Sequence, residues 1–222
     1  MELPSKKTKA VIQDPKFLLL YGSPKAGKTS TLAKLDNCLI IDTEQGTDYV
    51  EALKVNVNSL TAYTAMSKAF AATDVKYDYI ALDTIDNLAT WVEQYVCKQN
   101  NVATIGDMEY GKGFALVREA VIKAIMKLQE FATKGIIVVG HTKTNTIIDE
   151  DHNKVINMNE LNLTGKLKNE LMANADAIGF VFREEGKLKI SFKSGEVATT
   201  GSRCHHLADQ ILEFNWKNIY ID

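Results

Sequence analysis

The eight residues GSPKAGKT, Gly22 to Thr29, fit the pattern G-x-x-x-x-G-K-[ST]. That spacing suits one kind of chemistry. Glycines let a loop curl so that successive backbone N–H groups point at an anion, and a helix opening on the loop adds its positive end. The lysine and the hydroxyl at the end of the pattern then meet phosphate oxygens and a divalent cation. Lys28 is therefore expected to reach the β and γ phosphates of a nucleoside triphosphate, and Thr29 to ligate Mg²⁺. The binding segment is read as Gly22, Ser23, Pro24, Lys25, Ala26, Gly27, Lys28, Thr29 and Ser30.

Three more residues have the types this chemistry needs. Asp83 closes the apolar run YIALD, where an acid holds the cation directly or through water. The next residue is Thr84, so a water-activating glutamate directly after the aspartate is missing. Glu44, just past the run CLIID, is the replacement candidate. If its strand neighbours that of Asp83, Glu44 projects from the same carboxyl edge, where ligands bind in open α/β sheets, and can orient the attacking water. His141 ends the run IIVVG and is placed within reach of the terminal phosphate. Arg203, in TTGSRCHH, is a candidate to act on a neighbouring subunit's phosphate, with Lys193 as its rival. Cys204, His205 and His206 do not make a metal site, because three adjacent residues cannot all face one ion.

Positioning these residues requires strands that end at them. KFLLLYG, CLIID, YDYIALDT and GIIVVGHT read as buried strands by length and apolarity. Helices are expected for KTSTLAKL, for residues 59 to 73, for the stretch through Leu88 and Val96, and for Phe114 to Ala132, where Phe114, Val117, Val121, Ile125, Leu128 and Phe131 form one stripe. Leu163 to Asn174 also reads as helix. ADAIGFVFRE and KLKISFK read as two strands around a Glu-Glu-Gly turn, and the tail as partly helical. Strands alternating with helices predict an α/β fold: a mostly parallel central sheet, helices on both faces, and an antiparallel extension near the C-terminus. Residues 1–15 read as a flexible arm and 16–222 as a single domain.

The bulk composition narrows the class. The 222 residues carry a formal net charge of −2, so any nucleic-acid surface must be a local patch. No apolar run approaches the roughly 20 residues of a membrane span, and the charged N-terminus lacks the apolar stretch of a secretory signal. A cytoplasmic location and reduced cysteines follow as expectations. A guanine switch would carry D-x-x-G where this chain has Asp83-Thr84-Ile85-Asp86, and N-K-x-D where it has Thr142-Lys143-Thr144-Asn145. A nucleoside monophosphate kinase clamps phosphates with several arginines, and Arg118, Arg183 and Arg203 are the only ones here. Partition-type ATPases place a lysine where Ser23 stands.

The ordered set GSPKAGKT, IIDTE, YIALD and VVGH resembles the RecA-like branch of P-loop ATPases. More narrowly, DTIDNL, EYGKGF, GHT, LTGK with ADAIGF, and GSR followed by LAD resemble the phage-encoded AAA-domain group that includes Sak-type single-strand annealing recombinases. The resemblance implies a RecA-like core with ATP and Mg²⁺ as ligands, Lys28 and Thr29 on phosphate and cation, Asp83 supporting Mg²⁺, Glu44 as catalytic glutamate and His141 as γ-phosphate sensor. The segments 100–113 and 142–165 match DNA-binding loops in position, which makes Lys112, Lys143 and Lys154 candidates for phosphate contact, with Tyr110 and Phe114 placed to stack on bases. The reading is an ATPase acting on single-stranded DNA in phage recombination or replication, in the bacterial host cytoplasm, with ATP between subunits of a homo-oligomer. The alternative is a nucleotide-gated protein-interaction module with little turnover and no DNA binding.

Overall fold

The computed structural model describes residues 5–7, 13–148, 155–195 and 198–221. Most of the expected arm, and Lys154, lie outside these residues. Ten strands join in one sheet among the described residues. They are β1 (Phe17–Gly22), β2 (Cys38–Asp42), β3 (Leu53–Asn56), β4 (Tyr77–Asp83), β5 (Ala132–Ile148), β6 (Val155–Leu161), β7 (Ala177–Glu184), β8 (Lys187–Ser191), β9 (Gly201–Ser202) and β10 (Ile211–Glu213). Five α-helices accompany them: α1 (Lys28–Leu32), α2 (Leu60–Ala71), α3 (Ile85–Asn100), α4 (Lys112–Leu128) and α5 (Gly165–Asn174).

The main path runs β10-β8-β7-β1-β5-β4-β2-β3. The six strands from β7 to β3 are parallel, and β8 and β10 add the antiparallel extension. The α/β class and the mostly parallel sheet are as the strand pattern predicts. Parallel strands need crossovers, and the crossovers place helices on both faces. Alternate residues of each strand therefore enter different cores. Leu19, Tyr21, Ile80, Leu82, Ile136 and Val138 pack under α2, α3, α4 and α5, against Tyr63, Leu88, Val121 and Leu167. Leu18, Leu20, Ile40, Ala81, Ile137 and Val139 pack on the opposite face, against Leu32 of α1 and Trp216 and Ile219 of the C-terminal segment. Burial on both faces is why these strands read as continuous apolar runs rather than alternating ones.

Several boundaries differ from the sequence reading. The helix after the loop closes at Leu32, with Lys34 and Leu35 in turns, so α1 has only 5 residues. α4 starts at Lys112 and stops at Leu128, because β5 already begins at Ala132. The edge strand β3, LKVN, was not expected. Its burial is slight, so no apolar run announces it. Within the segment 142–165, read as a loop or hairpin, the described residues of β5 and β6 pair antiparallel from Thr142↔Leu161 to Ile148↔Val155, and residues 149–154 lie outside the described ones. The tail is mainly a turn, β10 and a single 3-10 turn at Trp216–Asn218.

Candidate functional site

The loop between β1 and α1 is built as its sequence requires. Gly27 caps α1 with φ 118°, a left-handed conformation that glycine adopts without strain. Gly22 is glycine for a different reason: a Cβ there would collide with the Val181 carbonyl of the adjacent β7. Lys28 is buried, and its Nζ donates to the carbonyls of Gly22 and Ser23, each at 2.9 Å. Burial pushes the Lys28 ammonium below the usual lysine range, against the pull of Asp83, Glu44 and Asp86.

Thr29 and Asp83, the two residues expected to hold a cation, are brought together. Thr29 Oγ1 donates to Asp83 Oδ2 at 2.6 Å. Asp83 is buried at the carboxyl end of β4, and burial pushes its carboxyl up to about 6, helped by the nearby charge of Glu44 and opposed by the Thr29 hydrogen bond. A buried carboxylate beside a hydroxyl is a hard oxygen donor set that fits Mg²⁺, and a cation there would remove the cost of ionising Asp83.

Glu44 reaches the same place because β2 pairs with β4 and sets Asp42 opposite Asp83. Two devices then fix it. Asp42 accepts from the N–H groups of Glu44 (2.9 Å), Gly46 (3.3 Å) and Thr47 (2.9 Å) and from the Thr47 hydroxyl, so the turn after β2 wraps one buried carboxylate. Burial raises the Asp42 carboxyl, but these four hydrogen bonds outweigh it and hold the group below its usual range. Thr84 supplies the second device: its hydroxyl donates to Glu44 Oε1 at 2.9 Å. Thr84, which stands where the sequence lacks a glutamate, is thus the residue that holds the Glu44 carboxylate. Thr43 and Thr84 also exchange hydrogen bonds, and Asn87 holds the Thr43 carbonyl at 2.9 Å.

His141 pairs with Gly22 at the head of β5. Its Nδ1 lies 3.5 Å from Glu44 Oε1 and 3.6 Å from Asp86 Oδ2. Asp86, in the first turn of α3, also accepts the His141 backbone N–H at 3.1 Å, while its Oδ1 is buried without a hydrogen-bond partner among the described residues. The sequence reading did not single out Asp42, Thr84 or Asp86 as site residues. Asp86 lies one helical turn past Asp83, a spacing that could have flagged it.

Arg203 is not brought to this site. It follows β9, which pairs with the start of β7, at the amino edge of the parallel strands. Its guanidinium is held by the Ala173 carbonyl at 2.7 Å and Asp176 Oδ1 at 3.4 Å. Asp176 also receives the N–H groups of Lys16 and Phe17 at the beginning of β1. The six residues of β1 therefore separate Arg203 from the loop of its own chain. Lys193 lies just beyond β8, which runs back toward that same edge.

Lys112 and Lys143 are exposed. Lys112 opens α4 and Lys143 lies on the hairpin opposite Glu160. Tyr110 is fully exposed at φ 54°, and Phe114 is half-exposed. Together with Gly165 and Lys166 they line a groove of about 450 Å³.

A Gly-rich loop opening a helix, with its threonine hydrogen-bonded to a buried aspartate at the carboxyl edge of a parallel sheet, defines the class of P-loop ATPases. Residues 14–205 match a family described as AAA domain, and the chain belongs to that family, which implies nucleotide binding and hydrolysis in general terms. Among solved structures, the chain is similar to a prototypical ATPase from the type III secretion system of pathogenic bacteria. Identity is 12 %, the match covers 82 % of this chain and 62 % of that one, and the TM-score is 0.46. No curated protein matches the chain. No described helix is long and apolar enough to cross a membrane.

Proposed function

We propose that the chain hydrolyses ATP on the loop Gly22–Ser30 and uses the nucleotide state to control a surface that binds single-stranded DNA. The observation that carries the hydrolysis is the Glu44 carboxylate, fixed by Thr84 at 2.9 Å beside His141 and next to the Thr29–Asp83 pair. In this reading the loop N–H groups and Lys28 bind the phosphates. Thr29 and Asp83 would hold Mg²⁺, which offsets the charge of the phosphate oxygens. Glu44 accepts a proton from water as the water oxygen bonds to the γ-phosphorus. The bond from that phosphorus to the bridging oxygen breaks, and ADP and phosphate leave. His141, touching Glu44 on one side and rooted in β5 on the other, passes the state of the terminal phosphate to the hairpin.

The DNA half of the proposal rests on the resemblance to phage recombinases and on side chains that suit a nucleic acid. Lys112, Lys143 and Lys154 would contact phosphates, and the exposed Tyr110 and Phe114 would stack on bases. ATP would lie between subunits of a homo-oligomer. The test is hydrolysis with and without single-stranded DNA, together with DNA affinity across a salt series. Stimulation by DNA and binding that weakens steeply with salt support the reading. The net charge of −2 favours a second reading, a nucleotide-gated module for a protein partner. Hydrolysis that ignores DNA, with no DNA affinity at low salt, would select it.

A further inference from the structure

Of the three arginines, Arg203 is held at the amino edge, and Arg118 of α4 pairs with Glu170 of α5 at 2.8 Å. Arg183 is the one that meets the phosphate loop. β7 pairs with β1 and sets Val181 opposite Gly22, the last residue of β1. Arg183 lies two residues further on, so β7 outruns β1 and carries the arginine past the point where the loop departs. Alternation along the strand puts it on the face of Val181, the face that also packs Leu32 of α1.

The guanidinium makes two hydrogen bonds of 3.0 Å. Nε donates to the Ala26 carbonyl in the loop, and Nη1 donates to the Gly186 carbonyl in the β7–β8 turn. That turn is a firm anchor. Glu184 pairs with Lys187, and the two residues between them, Glu185 and Gly186, have φ 52° and 79°, the turn form whose twist matches antiparallel strands. The approach to the loop is close: a Cβ on Gly27 would lie 3.2 Å from Arg183 Nη2.

We propose that Arg183 is a positioning residue for phosphate binding, acting through the peptide between Ala26 and Gly27. The role rests on the phosphate-loop reading above. In a trans peptide the carbonyl and the following N–H point in opposite directions, and this peptide is trans. Arg183 takes the Ala26 carbonyl from the β7 side, so the Gly27 N–H is turned away from the arginine, toward the place of the anion. The guanidinium acts on that N–H in two ways. It fixes the peptide plane before the anion arrives, which leaves less ordering to binding. It also draws electron density toward the carbonyl and so strengthens the N–H as a donor, because hydrogen bonds in series polarise one another. The planar fork spans the two carbonyls at once, which a lysine ammonium on its flexible stem does not.

The experiment measures binding of Mg²⁺ with inorganic tripolyphosphate by calorimetry on the full chain, for the wild type, Arg183→Met and Arg183→Lys. Amide NMR spectra of the unliganded proteins follow the Gly27 signal. Arg183 is exposed, so both substitutions leave the core intact, and melting curves check this. Both variants should lose about tenfold in affinity, the size of one charge-assisted hydrogen bond, and the Gly27 signal should move in both while those of α4 stay. Affinity within about twofold of wild type in Arg183→Met overturns the positioning role. An unmoved Gly27 signal in that variant does the same. Wild-type affinity in Arg183→Lys also overturns it, since the charge alone would then suffice. A wild type that does not bind tripolyphosphate removes the phosphate-loop reading instead, and the role of Arg183 falls with it.

Discussion

His141 Nδ1 and Glu44 Oε1 stand 3.5 Å apart, although Glu44 follows β2 and His141 lies within β5, two strands separated in the sheet by β4. The contact joins the proposed base to the strand that becomes the hairpin. It forms because Thr84 turns Glu44 toward β5, while Asp86 accepts the His141 N–H from the other side.

Glu44→Gln keeps the shape and the Thr84 contact but removes the proton acceptor. Turnover should fall by about 10²–10⁴, the usual contribution of a general base, with ATP binding retained. Steady-state hydrolysis and binding of a fluorescent ATP analogue measure the two quantities separately. A variant that turns over at the wild-type rate would remove Glu44 from that role.

Asp86 acts through His141, so its loss should appear in kcat rather than in KM. Asp86→Ala should lower kcat about tenfold or more with KM within about threefold. Asp86→Asn, whose amide oxygen can still accept the His141 N–H, should recover part of it. Equal loss in both variants, or a change confined to KM, contradicts the positioning role.

Asp42 gives a pH-dependent prediction about stability. Its folded carboxyl is held below the usual range, so its contribution is present above the unfolded value near 3.9 and is lost as pH falls through the folded value. Asp42→Asn should therefore lower the melting temperature at pH 7, and the deficit should shrink as pH drops below about 4. A deficit independent of pH would mean the four hydrogen bonds do not depend on the charge.

Gly22→Ala tests close packing rather than backbone freedom. The added methyl meets the Val181 carbonyl, a backbone atom that cannot rotate away. A cost of about 1–3 kcal/mol is expected in denaturant unfolding, the range for overpacking. Because Gly22 opens the phosphate loop, phosphate affinity should fall as well.

Much of this arrangement is legible in the sequence, for physical reasons. Strands buried on both faces leave apolar runs such as IIVVG, and their polar ends mark the carboxyl edge, so Thr29, Asp83, Glu44 and His141 could be named together. Asp42 was hidden because it looks like the last residue of an apolar strand, and three of its four partners are backbone N–H groups, which leave no trace in residue type. Thr84 was read as a missing glutamate, since a hydrogen bond across strands 40 residues apart in sequence follows from pairing and not from spacing. Arg203, in its Gly/Ser loop, was read as a residue that acts on a neighbouring subunit's phosphate; the pairing of β9 with the start of β7 puts it at the edge away from the loop of its own chain, a placement no local pattern specifies.

β5 spans 17 residues without a break, from the middle of the sheet through His141 to the far end of the paired hairpin. Mechanically it is a lever with His141 near its fulcrum. The seven residues after His141, as far as Ile148, reach about 23 Å at 3.3 Å per residue, so a tilt of about 5° at the histidine would sweep the outer end through about 2 Å. Seven register pairs with β6 stiffen that arm. A sub-ångström adjustment beside the phosphates therefore arrives at the hairpin as a displacement on the scale of a hydrogen bond, enough to make or break a contact with whatever lies against it.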